Sequence, residues 1–281
     1  MRSPMDDTFA ITEEDLFDRD AGRRFLDFYG DEGILLGFER YGFIDAIRRR
    51  GWDELKIETH AHDERHTLLC DATAADGRVD RLIELVVRRD RLRVEGCARS
   101  FEVLTVDWLT LRNSLGEFTD KRMRLPGQDA PGLGLGERVL ELLYRVVDRL
   151  DLDGLLTVAE YFHNAVLYAR ELLYVDPRAQ GQLMALEALL FEQEKLGFAK
   201  ASWALYWGCV RDADESVLHW RGEAMVNPRD PELKALMSGE AHQRRAKEVG
   251  SSLRYTLARD ELEERWAAEH EGLVGPPRQS S

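Results

Sequence analysis

The chain is predicted to be an α/β protein of the α+β kind: a mixed, mostly antiparallel sheet flanked by helices, with an α-helical extension at its C-terminal end. Three observations predict it. Strand-like segments follow one another over 55–112 with a turn signal between them. A glycine-rich turn at 131–136 then leads directly into an apolar-periodic run and a short buried strand. From residue 178 onward the apolar residues recur at helical spacing.

Residues 1–30 are acidic and weakly patterned, with one short helical signal over 20–29, and read as a peripheral arm. The stretch 33–50 carries Leu35, Leu36, Phe38, Phe43, Ile44 and Ile47, ends on Arg48, Arg49 and Arg50, and is followed by Gly51. Cations in a last turn with glycine just beyond it are a helix stop, although Gly37 and Gly42 interrupt the run. Strands are expected from Leu55 to Thr59 or beyond, over 65–73 and over 81–94, with Asp76-Gly77 turning the last two into a hairpin. The β-branched and aromatic run Phe101 to Arg112 is a fourth and longer strand. Val139, Leu142, Leu143, Val146, Val147 and Leu150 place one apolar stripe of a helix against the sheet, and after Asp153-Gly154 the run Leu155 to Val158 is a buried strand.

Beyond residue 178, helices are expected around 183–191 and 198–210, the second with the cluster Trp203, Tyr206 and Trp207, then over 232–238 and 241–268. The organisation expected is an arm at 1–30, an α/β domain at 31–178, a helical extension at 179–270 that offers a surface for a homodimer or a protein partner, and a disordered tail at 271–281.

Composition removes several classes. At 281 residues with 44% hydrophobic composition the chain can bury a core. A net charge of −14 speaks against nucleic acid and anionic membranes as partners. No run nears the roughly 20 apolar residues of a membrane span, and the N-terminus lacks the apolar core of a signal peptide, so a cytoplasmic location is expected. Three cysteines, Cys70, Cys97 and Cys209, have neither a disulfide nor a zinc spacing. His60, His62 and His66 lie in a highly charged stretch that reads as a solvated hairpin, and no metal is expected.

The stretch that carries chemistry is Pro131-Gly132-Leu133-Gly134-Leu135-Gly136-Glu137-Arg138. Alternate glycines before a helix let the backbone approach a ligand, and the positive end of the helix dipole favours a phosphate. The spacing is not that of a dinucleotide fingerprint, because the third small residue falls on Glu137 or Val139, and no glycine is followed by Lys-Ser/Thr as in a P-loop.

The order strand, glycine turn, helix, strand, helix resembles the GNAT N-acetyltransferase superfamily. Residues 131–136 resemble its Arg/Gln-x-x-Gly-x-Gly/Ala turn, with Gly134 and Gly136 in the glycine places, and Ala165 to Leu172 (AVLYAREL) resembles its A-x-x-L-Y-x-K-L helix. Pro131 stands where that family has Arg or Gln, and 113–130 is a long insertion before the turn.

The resemblance implies a GNAT-like domain and acyl-coenzyme A, typically acetyl-coenzyme A, as co-substrate with no metal. The reaction is acyl transfer to an amine, small molecule or protein, by direct attack. It implies pyrophosphate binding by Gly132, Leu133, Gly134, Leu135, Gly136, Glu137 and Arg138, pantetheine contacts from the backbone of Leu109 and Leu111, and Tyr168 as the acid that protonates the leaving thiolate. Asp107, on the strand before the turn, is the expected general base, with Glu102, Glu84 and His163 behind it. The alternative is a catalytically inactive scaffold that binds coenzyme A or a protein partner.

Overall fold

The computed structural model describes residues 24–277. The arm and tail expected over 1–23 and 278–281 lie outside the described residues. A seven-stranded sheet runs in the order β1-β2-β3-β4-β5-β8-β6. Its strands are β1 (Trp52–His62), β2 (Arg65–Ala74), β3 (Val79–Arg93), β4 (Ser100–Leu111), β5 (Gly154–Val158), β6 (Leu173–Tyr174) and β8 (Ala224–Pro228). Neighbours are antiparallel except β4 and β5, which are parallel. The mixed, mostly antiparallel sheet flanked by helices, with a helical C-terminal region, is thus the architecture of the protein.

In front of the sheet lie α1 (Asp31–Arg40), α2 (Phe43–Arg48) and α3 (Gly136–Arg149). The alternation of strand side chains assigns the two faces. Leu104, Val106 and Leu155 join Phe38, Phe43, Ile47, Val139, Leu143 and Val147 in the main core. Phe101, Val103 and Leu156 point the other way, onto Leu233 and Met237 of α7 (Pro231–Ser238). Burial of each such side chain is worth about 1.5–3 kcal/mol, so the α3 stripe alone contributes several.

The expected helix over 33–50 is two helices. Gly42 adopts φ 68°, and Arg138 of α3 fills the space a side chain would need, since a Cβ there would lie 2.6 Å from its guanidinium. The same guanidinium donates to the carbonyls of Tyr41 and Gly42 at 3.1 and 2.7 Å. The helical signal over 20–29 is, in its described part, a tight turn: Phe25 and Tyr29 exchange two 2.9 Å backbone bonds around Leu26 and Asp27 at φ 55° and 58°.

The C-terminal helices are α4 (Phe162–Tyr168), α5 (Pro177–Glu187) continued by a π turn at 188–193, α6 (Phe198–Tyr206), α7, α8 (Glu240–Ser252) and α9 (Arg259–Glu269). The expected long helix over 241–268 is interrupted by Thr256–Leu257, a strand β9 that pairs with β7 (Val210–Arg211). Leu183, Leu186, Leu190, Ala201, Ala204, Leu205 and Leu262 form the core of this layer together with Met225 of β8.

The boundary drawn at residue 178 is crossed by the sheet itself, because β8 inserts between β5 and β6. The described part of the expected tail is ordered on the protein. Gly275 and Phe118 exchange backbone bonds of 2.8 and 2.9 Å, and Arg124 donates to the Pro276 carbonyl at 3.3 Å.

Candidate functional site

The parallel pair at the centre of the sheet comes apart. β4 and β5 are in register from Val103↔Gly154 to Val106↔Thr157 and no further. On its other edge β4 pairs with β3 through Val87↔Val106 and Val86↔Trp108, which leaves Asp107 as an extra residue on β4. Such a bulge bends its strand, and here it coincides with the point of parting.

Beyond the bulge, the far end of the gap is closed by the glycine segment. Leu133 N–H donates to the Leu111 carbonyl at 3.2 Å and Asn113 N–H to the Pro131 carbonyl at 2.7 Å. Strand alternation turns the Leu109 peptide to the same side as Leu111, so Leu109 offers its backbone along the open edge while Leu111 has its carbonyl engaged. The side chains of both leucines pack on the main core.

The Gly-Leu alternation has a physical reason. Leu133 and Leu135 are buried pegs at 0% and 2% exposure, and the glycines between and after them, Gly134 and Gly136, face solvent together with Glu137. Gly134 has φ 63°, a left-handed conformation that favours glycine. α3 starts at Gly136 with Leu135 as its cap residue, and no side chain caps its first turn. Free amides and the positive end of the dipole are left outward.

Sequence reasoning missed the cations that gather at this helix end. A Cβ on Gly134 would lie 3.1 Å from the Arg50 guanidinium. Arg50 is anchored by a 2.6 Å bond to the Ala46 carbonyl, Arg122 reaches the Gly132 carbonyl at 3.4 Å, and Arg138 sits on the α1–α2 corner. Burial, then Arg122, Arg49 and Arg138, hold Arg50 below the ordinary arginine value. Like charges are thus crowded around an uncapped helix N-terminus, an arrangement that a bound polyanion would relieve. Arg50 and Arg122 thus place positive charge beside the turn that Pro131 opens. The only signal was the triplet Arg48-Arg49-Arg50, which also reads as a helix stop.

On the opposite bank stand the residues after β5. Tyr168 closes α4 and is half-buried against the helical layer; burial first and Glu160 second raise its phenol above the ordinary tyrosine value, so it stays a proton donor at neutral pH. Asp107 is not a free carboxylate. Arg65 donates to it at 3.1 Å and Arg88 at 3.1 and 3.2 Å.

Glu102 and Glu84 are on strands β4 and β3, Glu102 facing Arg91 at 3.5 Å. His163 is 4% exposed, its ring stacked on Tyr161 with centroids 5.4 Å apart, and burial lowers its pKa to about 4. His60 and His62 are exposed on β1, whereas His66 is turned inward and accepts the Leu26 N–H at 2.9 Å, against the expectation of a solvated hairpin.

The insertion 113–130 crosses from the end of β4 to the far bank. Trp52 Nε1 holds Asn113 at 3.0 Å, Trp203 Nε1 holds the Arg124 carbonyl at 2.8 Å, and Gly127 lies against the Tyr161 phenol so closely that a Cβ would stand 2.5 Å from it. A separate apolar recess between α1 and α3 is lined by Phe25, Ile34, Phe38, Leu85, Leu143 and Val146 and by none of the residues that hold the insertion.

No family model and no curated protein matches the chain. A solved structure, the crystal structure of a KacTA–DNA complex, contains a chain similar to it at 14% identity, covering 50% of this chain and 70% of that one, with a TM-score of 0.27.

The expectation of no nucleic-acid partner is corrected here: the similar chain is in a complex with DNA, and the exclusion drawn from net charge is withdrawn. Net charge is an average, and it overlooked the local cluster of Arg49, Arg50, Arg122 and Arg138. At that TM-score the likeness assigns no ligand to this chain. Among the described residues, no helix is long and apolar enough to cross a membrane, and no group of three or more His, Cys, Asp or Glu side chains could hold a metal.

Proposed function

We propose that the protein transfers an acyl group, typically acetyl, from acyl-coenzyme A to an amine, as the resemblance to GNAT N-acetyltransferases implies. The observation that carries this reading is the parting of β4 from β5 at the Asp107 bulge beside an uncapped α3 N-terminus ringed by Arg50, Arg122 and Arg138. An extended chain ending in a diphosphate fits that pair of features. The backbone of Leu109 would bond the pantetheine amides, and Gly134 to Arg138 with the arginines would take the phosphates.

In the transfer the neutral amine attacks the thioester carbonyl. The C–N bond forms as the C–S bond breaks, the Tyr168 phenol protonates the departing thiolate, and the proton shed by the new amide nitrogen restores the phenol. Asp107, held by two guanidinium groups, is better cast as the brace of the bulge than as a base. That same pairing favours the second reading, a scaffold that binds coenzyme A without turnover.

Calorimetric titration of the full chain with acetyl-coenzyme A tests the first step: saturable binding is expected, and none at millimolar ligand overturns both readings that involve the coenzyme. Tyr168→Phe separates them. A transferase loses about 10²-fold in kcat while keeping its affinity for acetyl-coenzyme A, whereas a scaffold has no turnover to lose.

A further inference from the structure

The bank opposite β4 carries a second set of groups that the acyl-donor site does not use. Glu160 directly follows Ala159, whose carbonyl is pinned by Trp220 Nε1 at 3.0 Å, and precedes Tyr161, the cap residue of α4. Its backbone is thereby held on both sides. Glu160 is exposed and, among the described residues, forms no ion pair, in contrast to Asp107 across the gap with its two arginines. Tyr206 lies next to the ring of Tyr161, with centroids 6.3 Å apart, and is 59% exposed. Trp203 supports Tyr206 edge-on at 5.4 Å, and His163 backs Tyr161. Trp108 on β4 and Val158 on β5 are also large apolar side chains left exposed, each at 46%.

The geometry points to Glu160, Tyr161 and Tyr206 as the acceptor-binding site, and to a cationic amine carried on an apolar or aromatic body as the acceptor. This rests on the transferase reading above. An unpaired carboxylate attracts an ammonium group, and tyrosine faces attract both the cation and an adjoining ring; the bound ammonium releases one proton to solvent before the neutral amine attacks. Burial first and the charge of Glu160 second raise the phenols of Tyr161 and Tyr168, so that carboxylate lies within electrostatic reach of the proposed acid. Gly127, packed on the Tyr161 phenol, makes the inserted loop the outer wall of this site and fixes the ring's orientation.

The test is steady-state acetyl transfer from acetyl-coenzyme A to benzylamine, cationic at neutral pH, and to aniline, neutral there, by the wild-type chain and by Glu160→Gln and Tyr206→Ala. Expected is a preference for benzylamine. Glu160→Gln should raise the benzylamine KM roughly tenfold with little change in the KM for acetyl-coenzyme A, and Tyr206→Ala should raise it several-fold. An unchanged benzylamine KM in Glu160→Gln, or a preference for aniline, overturns the assignment. Binding of acetyl-coenzyme A without benzylamine turnover overturns the acceptor site and leaves the coenzyme site standing. Absence of acetyl-coenzyme A binding removes the transferase reading and this inference together.

Discussion

The guanidinium of Arg50 lies 3.1 Å from where a side chain on Gly134 would begin, so the turn after the α2 helix and the turn before α3 share one space. Gly134→Ala meets two obstacles there: the left-handed backbone at φ 63° and the arginine. We expect a loss of about 1–2 kcal/mol in unfolding free energy, read by denaturant titration, and a fall in acetyl-coenzyme A affinity from displacement of Arg50.

Removal of a cation from the same cluster should act oppositely on stability and on binding. Arg50 is depressed by burial and by Arg122, Arg49 and Arg138, so Arg122→Ala relieves repulsion in the free protein. The melting temperature should hold or rise slightly, while affinity for acetyl-coenzyme A falls roughly tenfold and its salt dependence becomes shallower. Equal affinity in wild type and variant, by calorimetry at two salt concentrations, would remove Arg122 from the site.

Acid should weaken the fold through His163. Burial lowers its pKa from 6.5 to about 4, and its Nδ1 has no partner among the described residues. The unfolded chain therefore binds a proton below pH 6.5 that the folded chain refuses until about pH 4. Stability is present above pH 6.5 and is lost as pH falls through that window, by about 3 kcal/mol in all. In His163→Leu the slope of melting temperature against pH between those limits should flatten.

The helical layer has its own close contact. A Cβ on Gly181 of α5 would lie 2.5 Å from the Ala246 carbonyl and 2.9 Å from the Gly250 nitrogen of α8, both backbone atoms that cannot turn aside. Gly181→Ala should separate the helices at a cost of about 1–3 kcal/mol, measured by thermal unfolding, with acetyl-coenzyme A affinity unchanged in the folded variant.

How far each feature was legible depends on how local its cause is. The meander, the long strand and the helix after the glycines could be read because each is written in the periodicity of its own residues. β8 could not: Ala224 to Pro228 is short, without alternation, and lies far along the chain from its partners β5 and β6. The bulge at Asp107 was equally hidden, since it is a mismatch between two strands and appears in neither alone.

What the amino-acid sequence by itself determined is the class of the fold and the place of the glycine turn, because hydrophobic period and glycine's backbone freedom act over a few residues. Tertiary structure alone decided what surrounds that turn. Arg50, Arg122 and Arg138 meet only when α2, the insertion and α3 are packed together, and Asp107 is occupied only once Arg65 and Arg88 lie on neighbouring strands. Charges act through space, and the distances between them are set by the folded chain.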